Sequence, residues 1–172
     1  LWLQQHSGSL KTLRDNQTVD YKNIWQTKLS ALQFLFQEFE YSKDPFAAQQ
    51  RQQFTQFITQ KGNELRGFAL FETLDNYFSH ENSFGWQNWD AAYQHPNTPE
   101  VKAFSAKHEP EIRFHMWLQW LCTLQLAKVN EMAEKSGISL GLYGDLAVGV
   151  AQFGADTWLK RNQYCLDLSI GA

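Results

Sequence analysis

A mainly α-helical chain with a small α/β part at its C-terminal end is the fold class that the sequence predicts, and three patterns carry that expectation. Apolar residues recur at helical spacing between Asp20 and Phe78. An apolar-rich stretch runs without a turn signal from about Glu109 to Ser136. Beyond it, Ile138, Leu140 and Leu142 alternate with Ser139, Gly141 and Tyr143. The first two patterns have the 3.6-residue period of a helix, and the third has the two-residue period of a strand.

Taken in chain order, Asp20 supplies a side-chain acceptor at the start of a helix whose apolar positions are Ile24, Ala31, Leu32, Leu35, Phe36 and Phe39. Asp44-Pro45 opens a second helix, since proline fits the first helical position, and Phe46, Phe54, Phe57 and Ile58 give it an apolar face until Gly62. Asn63 then caps a third helix carrying Leu65, Phe68, Ala69, Leu74 and Phe78, closed by the polar run Ser79 to Gly85. Between Trp86 and Pro99, two tryptophans three residues apart and two prolines predict a short helical turn and a loop. Thr98-Pro99 starts another helix, and the long helix that follows ends at Gly137. From Phe114 to Ala127 its apolar residues fall on nearly every side, which predicts burial from several directions. A helix followed by a strand is the repeating unit of a parallel α/β architecture. Gly144 then loosens the backbone just before Asp145.

Composition narrows the function. The 172 residues, 43% hydrophobic and 15% aromatic, suffice for one core of ordinary domain size. A net charge of -3 with both signs interspersed leaves no basic stripe, so nucleic acid is not an expected partner. No window approaches the roughly 20 apolar residues that a membrane-spanning helix needs, so no membrane partner is expected either. Cys122 and Cys165 stand far apart in apolar surroundings, which predicts reduced, buried thiols and a cytoplasmic setting. His108 and His115 are seven residues apart beside Pro110, the wrong spacing for two ligands on one helical face, so no metal is expected. His6, His80 and His95 stand in polar stretches and read as solvated. Gly141, Gly144 and Gly149 lack the phosphate-cradling spacing.

The chemistry concentrates between Ile138 and Ala172. The segments GLYGDLAVGVA and GADTWLKRNQYCLD, with the closing Gly171-Ala172, resemble the bacterial 4-α-glucanotransferases, also called amylomaltases. ALFETLDNYF (69–78), GWQNWDAA (85–92) and FHMWLQWL (114–121) extend the likeness. The resemblance implies a helical insertion subdomain over residues 1–108. Residues 109–172 would then be a long helix, an early strand of a (β/α)8 barrel and the following loop and short helix. It also implies that the chain is a fragment lacking the N-terminal region and most of the catalytic barrel. The expected partner is a maltodextrin or α-1,4-glucan in the full protein, with no cofactor, and the isolated piece, with an open barrel edge, is expected to self-associate.

Barrel enzymes carry their working residues at the C-terminal ends of strands, which is where Asp145 falls. By the resemblance, Asp145 binds or shapes the site around the scissile glucose without attacking it, and Tyr143, two residues away, offers a ring or hydroxyl to the sugar. Without the resemblance, Asp145 also reads as a loop cap or an ion-pair partner, and Tyr143 as core. Retaining transfer needs two carboxyls about 5 to 5.5 Å apart. No such pair is visible, so no catalytic residue is assigned in this chain. Trp86 and Trp89 read as core or as a sugar-stacking platform, and Trp117, Trp120, Trp158 and Tyr164 as packing residues. The competing function is a non-catalytic helical module that binds a glucan or a peptide.

Overall fold

The computed structural model describes residues 1–79, 84–145, 147, 149–166 and 168. It divides into two compact units, Leu1–Gln53 and Phe54–Ala172.

In the first unit, α1 (Trp2–Gln5), α2 (Ser7–Asp15) and α3 (Tyr21–Tyr41) precede the start of α4 (Pro45–Ser79). The Asp20 side chain accepts from the Asn23 amide at 3.1 Å, which supplies one of the partners that a helix start lacks. Asp44 does the same for the Phe46 amide at 2.9 Å, so both expected caps form. The Trp2 indole donates to Ser30 Oγ at 3.2 Å and stacks on His6 at 4.1 Å between centroids. Of the apolar positions expected to be sticky in α3, Phe36 and Phe39 are buried, whereas Leu35 is exposed.

The second unit holds the larger core. Helix α4 breaks its geometry at Gly62, where φ is 58° and ψ -137°, a conformation that only glycine adopts cheaply. Its later half buries Leu65, Ala69, Phe71, Leu74 and Phe78. Short 3-10 turns at Trp86–Asn88 and Ala91–Tyr93 occupy the loop predicted there. Thr98 caps α5 (Pro99–Lys107), accepting from the Val101 amide at 3.2 Å, and α6 (Glu109–Lys135) follows. After a long connection, α7 (Ala155–Leu159) returns the chain to the core.

One aromatic layer organises this unit. Phe71 lies 5.5 Å from Trp89 and 5.8 Å from Trp158, and Phe78 stacks on Trp89 at 5.1 Å. Trp86, Trp89 and Trp158 are essentially inaccessible, which settles the Trp86 and Trp89 pair as core. A second group seats Phe54 against Trp120 at 5.5 Å, with the Arg113 guanidinium 4.8 Å from the Phe54 centroid. The fork of Arg66 meets both Glu109 oxygens, at 2.9 and 2.6 Å, and also Ser105 Oγ at 3.1 Å, tying α4 to α5 and α6. Both charged partners are half exposed, so this fork fixes geometry more than it adds stability.

Three expectations need correction. The described residues of 138–145 form turns and irregular backbone, and the strand expected over Ile138–Tyr143 is not formed among the described residues. A strand exists only as one member of a ladder, and no neighbouring strand is present among them. The later half of α6 is not surrounded: Leu124, Leu126, Val129 and Met132 are exposed, while Phe114, Met116, Trp117 and Trp120 are buried. The apolar sequence there exceeds the surface that this unit offers to cover it. Finally, Cys122 and Cys165 are free, as expected, but exposed rather than buried. Cys122 lies on that uncovered half of α6, and Cys165 follows the last helical turn. His95 is exposed, as expected, His6 is half-buried and His80 lies outside the described residues.

Two outcomes follow for stability. Trp158→Ala removes the buried centre of the aromatic layer and is expected to destabilise the second unit by about 3 to 5 kcal/mol in denaturant unfolding; a loss below about 1 kcal/mol would contradict this core. Burial pushes the His115 imidazole down to about 4. The fold therefore holds it neutral while the unfolded chain takes a proton below about pH 6.5, so its contribution is lost as pH falls from about 6.5 toward 4. The loss is on the order of 3 kcal/mol, and His115→Gln should flatten that part of the stability profile measured by thermal unfolding across this range.

Candidate functional site

The segment that carries Asp145 begins at the end of α6. Gly137, at φ 84°, lets its own amide donate to the Glu134 carbonyl at 3.0 Å, while the Ile138 amide reaches the Ala133 carbonyl at 3.0 Å. This double closure satisfies the last carbonyls of the helix and reverses the chain. A tight turn follows, with the Gly141 amide on the Ile138 carbonyl at 3.2 Å.

Asn130 then fastens the reversed chain to α6. Its Oδ1 accepts from the Leu142 amide at 3.0 Å, and its amide nitrogen donates to Glu134 Oε1 at 2.7 Å. Gly141 has φ 62°, a conformation that favours glycine, and a Cβ there would stand 2.5 Å from Asn130 Oδ1 and push that side chain aside. In the absence of a neighbouring strand among the described residues, the side chain of Asn130 takes the place of a ladder partner.

Tyr143, 96% exposed, and Asp145, also exposed, lie just beyond this fastening. Neither is packed as core, and the Asp145 side chain has no hydrogen bond or ion pair among the described residues, while the loop it would cap lies partly outside them. Leu140, Leu142 and Val150, on either side, are exposed as well. A lone solvated carboxylate can accept hydroxyl hydrogen bonds, but it cannot both attack a sugar carbon and protonate a leaving oxygen.

The other end of the connection is held firmly. Thr157 Oγ1 accepts from the Trp86 indole at 3.1 Å and lies 2.9 Å from the Gln152 carbonyl. The Trp158 indole donates to the Tyr93 carbonyl at 3.0 Å. Arg161 donates to the Gln94 carbonyl at 2.9 Å with its guanidinium 4.7 Å from the Trp86 centroid. The two Trp86 contacts join the GADTWLKR motif to the GWQNWDAA motif, and those to Tyr93 and Gln94 join it to the residues just beyond. Nothing in the sequence pairs the two motifs, and nothing in it marks Asn130.

Beside α7 lies a groove of about 430 Å³ facing the later half of α4. Phe68, Phe71, Glu64 and Glu72 come from α4, and Asp156 and Lys160 from α7 and its end. Burial, with the nearby Asp75 charge adding to it, raises the Glu72 carboxyl above its ordinary range; burial also raises Asp75. Among the described residues, no three His, Cys, Asp or Glu side chains converge as a metal site, and no helix is long and apolar enough to cross a membrane.

The sequence is similar to those of known 4-alpha-glucanotransferases. A family profile described as 4-alpha-glucanotransferase covers residues 3–172. A 4-alpha-glucanotransferase of Haemophilus influenzae is 36% identical over 170 residues, which are 96% of this chain and 24% of that protein. One of Mycobacterium tuberculosis is 31% identical over 99% of this chain and 21% of its own length. One of Thermus thermophilus is 26% identical over 87% of this chain and 28% of its own. The chain thus spans about a quarter of the length of the curated relatives it matches.

Asn130→Ala should free the Leu142 amide. The hydrogen bond it removes is worth about 1 kcal/mol, or roughly fivefold in an opening equilibrium, so exchange of that amide with deuterium should quicken by about that factor while α7 amides keep their rates. Equal exchange at Leu142 would rule out the fastening.

Proposed function

Because the chain belongs to the 4-alpha-glucanotransferase family, we propose that the protein it forms part of cuts an α-1,4 bond in a maltodextrin and passes the released glucan to the 4-hydroxyl of another sugar. The reaction retains configuration. A carboxylate attacks the anomeric carbon while a carboxylic acid gives its proton to the departing oxygen. The acceptor 4-hydroxyl then returns a proton to that second group as its oxygen displaces the enzyme carboxylate. Both reacting carboxyls, and a third that stabilises the transition state, belong to later barrel strands by the resemblance, so the 172 residues alone are inactive.

In this reading, residues 1–108 are the helical insertion, and residues 109–172 bring a long helix, one barrel strand and the next loop. Ile138–Asp145 becomes extended once neighbouring strands supply a ladder. Asp145 then binds hydroxyls of the glucose at the cleaved bond, and Tyr143 contributes its ring or hydroxyl. The exposure of Asp145, amid exposed apolar side chains that further polypeptide would cover, carries this reading. The same apolar surface, with Leu124, Leu126, Val129 and Met132, supports self-association of the isolated chain. The setting is cytoplasmic, and no cofactor takes part. A purely binding module is the weaker reading, because Trp86, Trp89, Trp117 and Trp120, the rings that would form its groove, are buried.

Asp145→Asn in the complete protein keeps the shape of the side chain and removes its charge. Transfer between maltodextrins, followed by chromatography of the product lengths, is expected to fall at least tenfold. Transfer at the unaltered rate with unaltered affinity would take Asp145 out of the site.

A further inference from the structure

We propose that the groove between the later half of α4 and α7 is a glucan-contact site, in which Phe68 seats the apolar face of one glucose unit and the carboxylates of Glu64, Glu72 and Asp156 accept its hydroxyl hydrogens. This inference rests on the glucan chemistry proposed above and adds residues to it that no strand-end argument reaches.

The groove is built rather than incidental. At about 430 Å³ it falls within the roughly 300–1,000 Å³ of small-molecule sites. Glu64, Phe68, Phe71 and Glu72 stand at helical spacings of four, seven and eight residues, so a single face of α4 forms one wall. Its separation from α7 is fixed at Gly67, where an added Cβ would stand 3.0 Å from a Leu159 methyl. Ala151, Gly154 and Ala155 line the opposite side with side chains too small to fill the space. The Trp86–Thr157 and Trp158–Tyr93 hydrogen bonds hold α7 from behind, so the opening is present before any ligand arrives.

Its chemistry selects among ligands. Three carboxylates against one ammonium, that of Lys160, repel a phosphate or another anion. The absence of a convergent metal cluster among the described residues argues against an inorganic cation. A neutral polyol suits the set well, because hydroxyls donate to carboxylates, Lys160 donates to a sugar oxygen, and an aromatic ring covers the C–H face of a pyranose. The raised Glu72 carboxyl is consistent with a group shielded from water in the wall and short of donors until a ligand supplies them.

Carboxyl labelling with a carbodiimide and an amine, read by mass spectrometry on the complete protein, tests this directly. Maltoheptaose should slow labelling of Glu64 and Asp156 at least threefold, with Asp44 as the unprotected control. Glycerol at matched hydroxyl concentration should not protect. Phe68→Leu, which removes the ring at little change in volume, should abolish the protection. A protein that transfers glucan yet labels Glu64 and Asp156 equally with and without saturating maltoheptaose overturns the groove and leaves the family reaction standing. Protection that survives Phe68→Leu overturns it too. A protein that neither transfers glucan nor shows protection overturns both.

Discussion

The hydrogen bond from the Trp86 indole to Thr157 Oγ1, made in a fully buried setting between residues 71 apart in sequence, is the contact on which the second unit depends. A short helix of five residues has no stability of its own. Helix α7 exists because Trp158 sinks into the aromatic layer and Thr157 caps the indole beneath it. The cost of leaving a buried indole without an acceptor gives this pairing its specificity: any other seating of α7 would strand the Trp86 donor. Trp89, by contrast, has a buried indole nitrogen with no partner among the described residues, so the layer already carries one such cost.

From this contact the arrangement of the loop follows. Residues 138–154 are tied at one end to α6 through Gly137 and Asn130, and at the other to the aromatic layer through Thr157. The first tie is a few hydrogen bonds at the exposed end of α6, and the second is a buried aromatic cluster. The connection therefore has a firm C-terminal anchor and a weak N-terminal one, and Tyr143 and Asp145 sit near the weak end. The exposed ties can therefore be exchanged at little cost while α7 stays in place.

Helix boundaries were the part most readily legible in the sequence. Asp20, Asp44-Pro45, Thr98-Pro99, Gly62 and Gly137 each act through local backbone chemistry, which a linear reading can see. The buried tryptophans also stood where apolar spacing put them. What escaped the reading depends on partners distant in sequence. The alternation at Ile138–Tyr143 records a strand's side-chain pattern but not the neighbours that a strand requires. Apolarity of Leu124, Leu126 and Val129 says that the surface wants cover, not that this chain provides it. The same holds for Cys122, whose apolar neighbours suggested burial. Asp145 was marked by its place at the end of the alternating run and by the resemblance, and Asn130, which holds its loop, was invisible because one half-buried asparagine on a helix carries no pattern.

Gly62 has a consequence for the shape of α4. An unbroken helix of 35 residues would run about 52 Å as a straight rod. With φ at 58° and ψ at -137°, one residue instead redirects the chain without any proline and without surrendering a side chain to the bend. A methyl group would find open space there, since nothing lies within 4 Å. Sterics with neighbours thus play no part; the requirement is written wholly in the torsions, and the corner in α4 survives only as long as that position stays achiral.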